Sequence, residues 1–409
     1  MGPGYELLGE EERSEVLDTL QGFQLSRYRF DGDGPPSKVF KFEREMEQLL
    51  EARRCIGMNS CTSALLAGML ASGVGPGMEV IVPGYTFIAS VAAVAYTGAT
   101  PVLAEVDESL TLAPADVESR ITPATRAVLA VHMLGAPCDM DSLTKLCDRH
   151  GLLLFEDCAQ AGGGSYKDRH LGTLGHFGAF SLNVFKTFTA GEGGLFCTDD
   201  EATFRRAYAI HDHGWQPFRL GVVEHDGLLG LNLKMHELSG AIALAQARKL
   251  PEILRRMRQH RDVLVEAIGE LPGARIRTLH DPNGDCGTVL AFIFDEPSLA
   301  TAVAARLGTR TLAQSGKHNY ANMGQLAARA MPTASCPFSC PAHPTRPRYA
   351  PGSLARTDDL LARTVAIGVG VLDSYLGTSF GTGVRATPEE LAAAAATFRD
   401  AVRSAQDAS

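Results

Sequence analysis

Short apolar runs alternate with stretches of helical spacing along most of the chain. The runs at residues 80–83, 101–106 and 127–132 each end in a turn or polar residue, and a helical stretch separates each from the next. Uninterrupted apolar runs of this length are typical of strands that are buried on both faces. The alternation therefore predicts an α/β fold, in which a mainly parallel sheet is covered by helices on both faces.

The same pattern predicts three segments. Residues 1–40 form an N-terminal arm, with an acidic helix near residues 10–20 followed by a basic stretch and a turn rich in glycine and proline. Residues 41–254 carry the alternation of strands and helices and form a large domain. Residues 255–409 form a smaller α/β domain, and a long helix from about residue 235 to residue 268 bridges the two.

Charge and hydropathy exclude two classes of partner. The formal net charge is -9, from 38 basic and 47 acidic residues, so no cationic surface for nucleic acid is expected. No uncharged apolar run approaches the roughly 18 to 20 residues that span a bilayer. The first residues have neither the basic start nor the apolar core of a signal peptide. These features predict a cytoplasmic protein with no membrane or nucleic-acid partner.

The nine cysteines are scattered through apolar strands and helices, which is typical of reduced, buried thiols rather than of a disulfide framework. Cys336 and Cys340 lie four residues apart with His343 close behind, but no second ligand pair follows at the spacing of a zinc site. We therefore predict ordinary loop cysteines there and no metal.

The chemistry is concentrated at the ends of predicted strands. Lys186 lies between an apolar run and a glycine-rich turn, Asp157 and Ser181 each close a strand, and Thr62 and Ser63 begin a helix. Ligands of open α/β sheets bind beyond the carboxyl ends of the strands, and a helix N-terminus suits a phosphate. A lysine can form an imine with an aldehyde, and a buried aspartate keeps a pyridine nitrogen protonated. The combination predicts a site for pyridoxal 5'-phosphate.

Each of these residues also has an ordinary interpretation. A strand-end aspartate is often a cap or an ion-pair partner, and a Thr-Ser pair at a helix start is often only an N-cap. A glycine-rich turn is often a hairpin, and a lysine beside it is often solvated. The order and spacing of the residues favour the cofactor. No phosphate loop and no dinucleotide glycine fingerprint at a strand end competes with it.

Five segments, in order along the chain, form a recognisable set: residues 83–87, 156–161, 172–175, 181–194 and 230–235. This set resembles the sugar aminotransferases of the DegT/DnrJ/EryC1/StrS family, whose fold is that of aspartate aminotransferase (PLP fold type I). The likeness runs from about residue 5 to the C-terminus. The arm and the element that begins at His132 are most similar to 8-amino-3,8-dideoxy-octulosonate transaminases.

The resemblance implies a role for each matched position. Lys186 would form the internal aldimine with the cofactor and then carry a proton between carbon atoms, and Asp157 would pair with the pyridinium nitrogen. The other implied contacts are stacking by Phe87 and Ala159, a hydrogen bond from Gln160 to the ring hydroxyl, phosphate binding by Thr62, Ser63 and Ser181, and a phosphate contact by Asn232 from the neighbouring subunit. A homodimer with shared active sites is implied.

Two positions depart from the family pattern. Cys61, within Ser60-Cys61-Thr62, replaces a glycine, so a side chain stands where the turn usually has none. Asn183 stands where a histidine is common, and we include it among the cofactor contacts. Polar side chains in three further segments are predicted substrate contacts, with surface or capping roles as the alternative: Arg27, Tyr28, Arg29, His213 and His318.

The predicted function is the transfer of an amino group from glutamate or glutamine to a keto- or aldehydo-sugar or a cyclitol, through pyridoxamine phosphate. Such a reaction would serve amino-sugar or natural-product biosynthesis. One alternative is a PLP-dependent sugar dehydratase, but that branch has histidine in place of Lys186. Another is a non-catalytic PLP-binding regulator, which the presence of both Lys186 and Asp157 disfavours.

Overall fold

A seven-stranded sheet forms the centre of the fold in the computed structural model. Residues 1–23, 25–27, 37–214, 228–339, 341–343 and 347–408 are described. The strands of this sheet are β1 (Arg54–Met58), β2 (Glu79–Pro83), β3 (Thr100–Ala104), β4 (Thr125–Val131), β5 (Leu153–Asp157), β8 (Phe177–Ser181) and β9 (Gly194–Thr198). A short hairpin of β6 (Ser165–Tyr166) and β7 (Arg169–His170) lies between β5 and β8 in the sequence.

The strand order is β1-β9-β8-β5-β4-β2-β3. Neighbours from β8 to β3 pair in parallel, whereas β9 is antiparallel to both β8 and β1. The prediction of a mainly parallel sheet is confirmed. Because the parallel strands point the same way, their carboxyl ends meet at one edge, and Asp157 and Ser181 end two adjacent strands there.

Helices cover this sheet, as predicted. They are α1 (Pro3–Glu6), α2 (Glu10–Gln21), α3 (Lys38–Leu49), α4 (Cys61–Ala71), α5 (Ile88–Tyr96), α6 (Pro114–Ser119), α7 (Met140–His150), α8 (Glu201–His211) and α9 (Glu237–Ile268). Helix α4 approaches the sheet closely, because a Cβ at Gly68 would lie 2.7 Å from the ring of Phe177. Phe177 stacks in turn on Phe155, with 4.4 Å between the ring centroids.

A second sheet follows α9, with the order β10 (Ala274–Ile276), β11 (Val289–Phe294), β12 (Thr364–Val369) and β13 (Gly381–Thr382). Its helices are α10 (Pro297–Arg306), α11 (Gly324–Ala327), α12 (Ala355–Ala362) and α13 (Pro388–Gln406). Phe292 of β11 packs on Phe398 of α13 at a centroid distance of 4.7 Å. Helix α9 runs through the boundary predicted after residue 254, and the division into arm, large domain and small domain stays a prediction.

The buried carboxylate of Glu156 explains one of the sequence motifs. Its Oε2 accepts a hydrogen bond from Gly172 N at 2.8 Å, and its Oε1 accepts from Leu174 N and Gly175 N at 2.8 and 2.7 Å. His132 Nε2 lies 3.2 Å from Oε2. Glu156 thus ties the turn at residues 172–175 to the strand end that carries Asp157, because a buried carboxylate must be fully hydrogen-bonded.

Seven cysteines are free and buried, as predicted: Cys55, Cys61, Cys138, Cys147, Cys158, Cys197 and Cys286. Cys336 differs, because it is disulfide-bonded and its sulfur is not available as a metal ligand. Cys340 lies outside the described residues. None of the described helices combines the length and apolar character that a membrane crossing requires. The cytoplasmic location stays a prediction.

Candidate active site

A cavity of about 390 Å³ lies at the carboxyl ends of the central strands. It brings together nine of the residues that the sequence predicted for the site: Thr62, Phe87, Asp157, Ala159, Gln160, Ser181, Asn183, Lys186 and His318. These residues come from the start of α4, the ends of β5 and β8, the loops that follow β2, β5 and β8, and the segment between α10 and α11. Residues that are far apart in the sequence therefore converge because the parallel strands end at one edge.

Lys186 lies in the loop between β8 and β9, where its N–H donates to Asn183 O at 3.0 Å. Burial lowers the pKa of its amine below the usual 10.5, although the nearby carboxylates of Asp157, Asp373 and Glu192 act in the opposite direction. Among the described residues, its Nζ has neither a hydrogen bond nor an ion pair. An amine with a lowered pKa and no partner is suited to attack an aldehyde carbon.

Asp157 is held rigidly at the end of β5. It is 4% exposed, its Oδ2 accepts a hydrogen bond from Ser90 Oγ at 2.6 Å, and its Oδ1 accepts one from Ala159 N at 3.0 Å. The Sγ of Cys61 lies 3.9 Å from Oδ1. A carboxylate with fixed orientation at the cavity wall can pair with a cationic ring nitrogen.

A second hydroxyl supports this arrangement from behind. Thr86 Oγ1 and Ser90 Oγ are 2.8 Å apart. Since the Ser90 proton is directed to Asp157, Thr86 must donate to Ser90. Thr86 belongs to the motif at residues 83–87, so part of that motif acts on Asp157 through Ser90. The sequence did not identify Ser90, because a serine inside an apolar helix carries no distinguishing signal.

The start of α4 offers an anion-binding position. Ser60 is the N-cap, and its Oγ accepts from Ser63 N at 3.1 Å. The N–H groups of Cys61 and Thr62, in the same first turn, have no acceptor in the part of the chain that is described. They lie at the positive end of the helix dipole, which favours a phosphate. Ser181 lines the same cavity.

The hydroxyl of Ser63 is used elsewhere. It donates to Asn59 Oδ1 at 2.6 Å and lies 3.0 Å from Ser60 Oγ. Ser63 does not line the cavity. The structure therefore places Ser63 in the cap of α4, one residue removed from the exposed side chain of Thr62, and its predicted phosphate contact stays a prediction.

Phe87 and Ala159 both line the space that a planar ring would occupy. Phe87 is 38% exposed and packs on His318 with 5.2 Å between the ring centroids. Gln160 Oε1 accepts from Leu134 N at 2.8 Å. Because the oxygen is already used, the amide nitrogen of Gln160 is the end left to donate to a ring hydroxyl.

Asn183 does not stand free in the cavity. Its Nδ2 donates to Glu192 Oε1 at 2.8 Å, and its Oδ1 accepts from Phe185 N at 3.2 Å. Both side-chain atoms thus stabilise the loop that carries Lys186. Glu192, which the sequence did not single out as a contact, also lines the cavity.

Four lining residues come from segments beyond α9: Lys317, His318, Asp373 and Tyr375. Burial and the charge of Lys186 lower the pKa of His318 to about 3, so its ring is neutral. The Lys317 ammonium lies 5.2 Å from the centre of the Tyr375 ring. Of these residues only His318 was predicted, because the other three belong to no motif.

The remaining predicted contacts lie away from this cavity. Arg27 forms a bidentate ion pair with Glu43, with N–O distances of 2.5 and 2.6 Å, and its Nε donates to the Tyr208 hydroxyl at 3.2 Å. His213 lies 3.1 Å from Asp212 Oδ1. Asn232 is exposed beside Asp212. Tyr28 and Arg29 lie outside the described residues.

The comparisons agree with this geometry. The model of the DegT/DnrJ/EryC1/StrS aminotransferase family matches residues 8–369. The chain belongs to this family. It is an aminotransferase, and its cofactor is pyridoxal phosphate. The narrower likeness to octulosonate transaminases stays a prediction.

Three similar proteins illustrate the family. The L-glutamine:2-deoxy-scyllo-inosose aminotransferase of Micromonospora echinospora is 36% identical, covering 77% of this chain and 80% of the relative. The spore coat polysaccharide biosynthesis protein SpsC of Bacillus subtilis is 35% identical over 67% of this chain and 71% of its own length. Among solved structures, DesV of S. venezuelae superimposes with a TM-score of 0.74 at 29% identity, covering 97% and 96% of the two chains.

Proposed function

We propose that this aminotransferase moves an amino group from glutamine or glutamate to a carbonyl carbon of a sugar or cyclitol. The observation that carries the proposal is the unpartnered Lys186 amine in one cavity with the fixed Asp157 carboxylate. The similar inosose aminotransferase has glutamine as its named donor and a cyclitol ketone as its acceptor. The GDP-perosamine synthases, 36% identical in Vibrio cholerae, form an amino sugar by name.

The residues present fit pyridoxal phosphate. Lys186 offers an amine of lowered pKa, Asp157 offers a carboxylate for the ring nitrogen, and the N–H groups of Cys61 and Thr62 are left for the phosphate. When bound, this cofactor stores the amino group and stabilises negative charge on the carbon that loses its proton. Phe87 and Gln160 would fix the orientation of the ring.

Lys186 is the residue that would move the proton. Burial lowers the pKa of its Nζ, which favours the neutral amine that would accept a proton from the carbon that bears the amino group and donate it to the carbon on the other side of that nitrogen. Among the described residues, the only other amine that lines the cavity is that of Lys317, which lies against Tyr375.

Hydrogen exchange at the donor tests this proposal. The holoenzyme in D2O should replace the α-hydrogen of glutamine with deuterium and release the corresponding keto acid, and Lys186→Ala should do neither. Lys317→Ala is the matched control, because it removes the other amine of the cavity and should retain exchange. Exchange that persists in Lys186→Ala would refute the role of Lys186. A wild-type protein without exchange or keto acid would favour a binding protein, and loss of water from a hexose would favour a dehydratase.

We also propose a homodimer in which Asn232 contributes to the partner's cavity. Asn232 is exposed, and the adjacent Leu229 and Leu231 are 100% and 51% exposed. Exposed leucines beside an exposed asparagine favour a covered surface in the assembled protein. Hybrid dimers of Lys186→Ala and Asn232→Ala should regain activity, because one of their two sites would be intact. Failure of the mixture to exceed its separate components would contradict sharing.

The acceptor would lie against the segments beyond α9. Asp373, Tyr375 and Lys317 contribute a carboxylate, a phenol and an ammonium to the wall of the cavity. Such groups suit a polyhydroxylated substrate, because each hydroxyl can both donate and accept. Transfer rates measured with keto-sugars, aldehydo-sugars and cyclitol ketones would identify the class.

A further inference from the structure

Residues 1–6, here called the strap, run along the backbone that carries Lys186. Gly2 N donates to Val184 O at 2.9 Å, and Gly4 N donates to Lys186 O at 3.4 Å. Gly2 and Gly4 are buried. The strap precedes residue 8, where the match to the family begins.

The two glycines allow backbone to approach backbone. A Cβ at Gly2 would lie 2.4 Å from the carbonyl carbon of Phe185 and 2.5 Å from Lys186 O. A Cβ at Gly4 would lie 2.7 Å from Phe188 Cα. Apart from Gln246 Oε1, which lies 2.6 Å from the Gly4 Cβ position, the atoms nearest to the two added Cβ atoms belong to the main chain and cannot turn aside as a flexible side chain can. A side chain at either position would therefore force the strap and the loop that carries Lys186 apart.

The strap also contacts the segments beyond α9. Met1 O accepts from Leu372 N at 3.1 Å, and Glu6 Oε2 accepts from Val384 N at 3.0 Å. Leu372 directly precedes Asp373, which lines the cavity. The strap therefore joins the loop of Lys186 to the segment of Asp373, so that both sides of the cavity are held by the same six residues.

We propose that Gly2 and Gly4 are positioning residues for Lys186, which set where its amine reaches into the cavity. The proposal rests on the proposed role of Lys186. The reach of the lysine side chain is limited to its four methylene groups, so the position of its backbone affects whether the amine meets an aldehyde carbon at bonding distance. A displacement of about 1 Å at such a site can lower a rate by up to about 100-fold.

The rate of covalent capture of pyridoxal phosphate by the cofactor-free protein tests the proposal. The Lys186 amine joins the aldehyde carbon with loss of water, borohydride then reduces the C=N bond, and peptide mass spectrometry locates the product. Gly2→Ala and Gly4→Ala should slow capture at Lys186 by about tenfold or more. The midpoint of capture against pH should also move upward, because a displaced amine regains contact with water.

Gly9→Ala is the matched control. Its added Cβ would meet no atom closer than 3.5 Å, the carboxylate of Glu11, and its φ of -160° suits any residue. Capture should be unchanged in this variant. An equal loss in Gly9→Ala, or folded Gly2→Ala and Gly4→Ala proteins with the wild-type rate and midpoint, would overturn the proposal.

If the glycine variants do not fold, Glu6→Ala decides the question. This change releases the Val384 end of the strap without adding atoms, and Glu6 is partly exposed. Capture should slow several-fold, and an unchanged rate would overturn the proposal. The wild-type protein separates the two hypotheses: if it is not captured at Lys186, the proposed function fails, whereas capture at Lys186 that the strap variants leave unchanged overturns only the strap proposal.

Discussion

Removal of the Ser90 hydroxyl would show how strongly the site depends on a fixed Asp157. Ser90 is 0% exposed, and its Oγ donates to Asp157 Oδ2 at 2.6 Å. The Ser90→Ala variant removes this bond and leaves the backbone of α5 intact, because alanine is the best helix former. The change therefore isolates one contact to the carboxylate.

The size of the effect follows from the contacts that remain. A hydrogen bond to a charged group contributes about 1.5–3 kcal/mol. Asp157 keeps the bond from Ala159 N, and water in the cavity can reach the released oxygen, so we expect the lower value, about 1.5 kcal/mol. The unfolding entropy of a chain this long is about 0.9 kcal/mol per kelvin, so the Tm of the cofactor-free protein should fall by about 2 °C. Pyridoxal phosphate should bind about tenfold more weakly, equivalent to about 1.4 kcal/mol, because the carboxylate is free to rotate.

Thermal unfolding and cofactor titration measure both quantities. Thr86→Val is the control, because Thr86 donates to the neutral Ser90 oxygen at 2.8 Å and such a bond contributes only about 0.5–1.5 kcal/mol. Its losses should be smaller than those of Ser90→Ala. A Ser90→Ala protein with the wild-type Tm and the wild-type affinity for pyridoxal phosphate would refute the importance of this hydrogen bond. A larger loss in Thr86→Val than in Ser90→Ala would contradict the inference that Thr86 donates to Ser90.

Three further predictions concern the charges. Burial lowers the pKa of Lys186 below 10.5, so the folded apo-protein binds fewer protons than the unfolded chain and gains stability as the pH rises toward 10.5. Lys186→Met should therefore raise the apo-protein Tm at pH 7 and lose this advantage by pH 10.5; an advantage independent of pH would contradict this. Burial lowers the pKa of His318 to about 3. The unfolded chain therefore binds a proton at this ring before the folded protein does, and the folded protein loses stability as the pH falls from 6.5 toward 3. An NMR titration should contain one histidine ring signal that is absent from His318→Asn and that does not titrate between pH 5 and 8. A midpoint near 6.5 for this signal would refute the prediction. Arg27→Ala should cost about 3–5 kcal/mol of unfolding free energy, since it leaves the buried Glu43 unpaired, whereas Arg248→Ala, which breaks an exposed pair, should cost about 0–1 kcal/mol. A wild-type Tm with a raised acceptor KM would instead make Arg27 a substrate contact.

The sequence predicted the parts of the site that follow from strand ends and local motifs. Asp157 and Lys186 were identified because a buried run ended at one and a glycine-rich turn followed the other. Ser90 was not identified, because its partner lies 67 residues away and only the folded sheet brings the two together. Arg27 was predicted as a substrate contact because charge and spacing do not reveal its tertiary contacts. Its burial against Glu43 becomes visible only in the folded structure.

The departure at Cys61 becomes understandable through the charge balance of the cavity. Cys61 Sγ lies 3.9 Å from Asp157 Oδ1, at the start of the helix whose free N–H groups suit a phosphate. Burial, and then the charge of Asp157, raise the pKa of the Cys61 thiol well above its usual range, so it stays neutral. A thiolate there would hold the Lys186 amine in its protonated form and oppose its role as a nucleophile. The Cys61 side chain, in the position where the family pattern has glycine, therefore adds volume without adding charge. Burial remains the dominant influence on the pKa of the Lys186 amine.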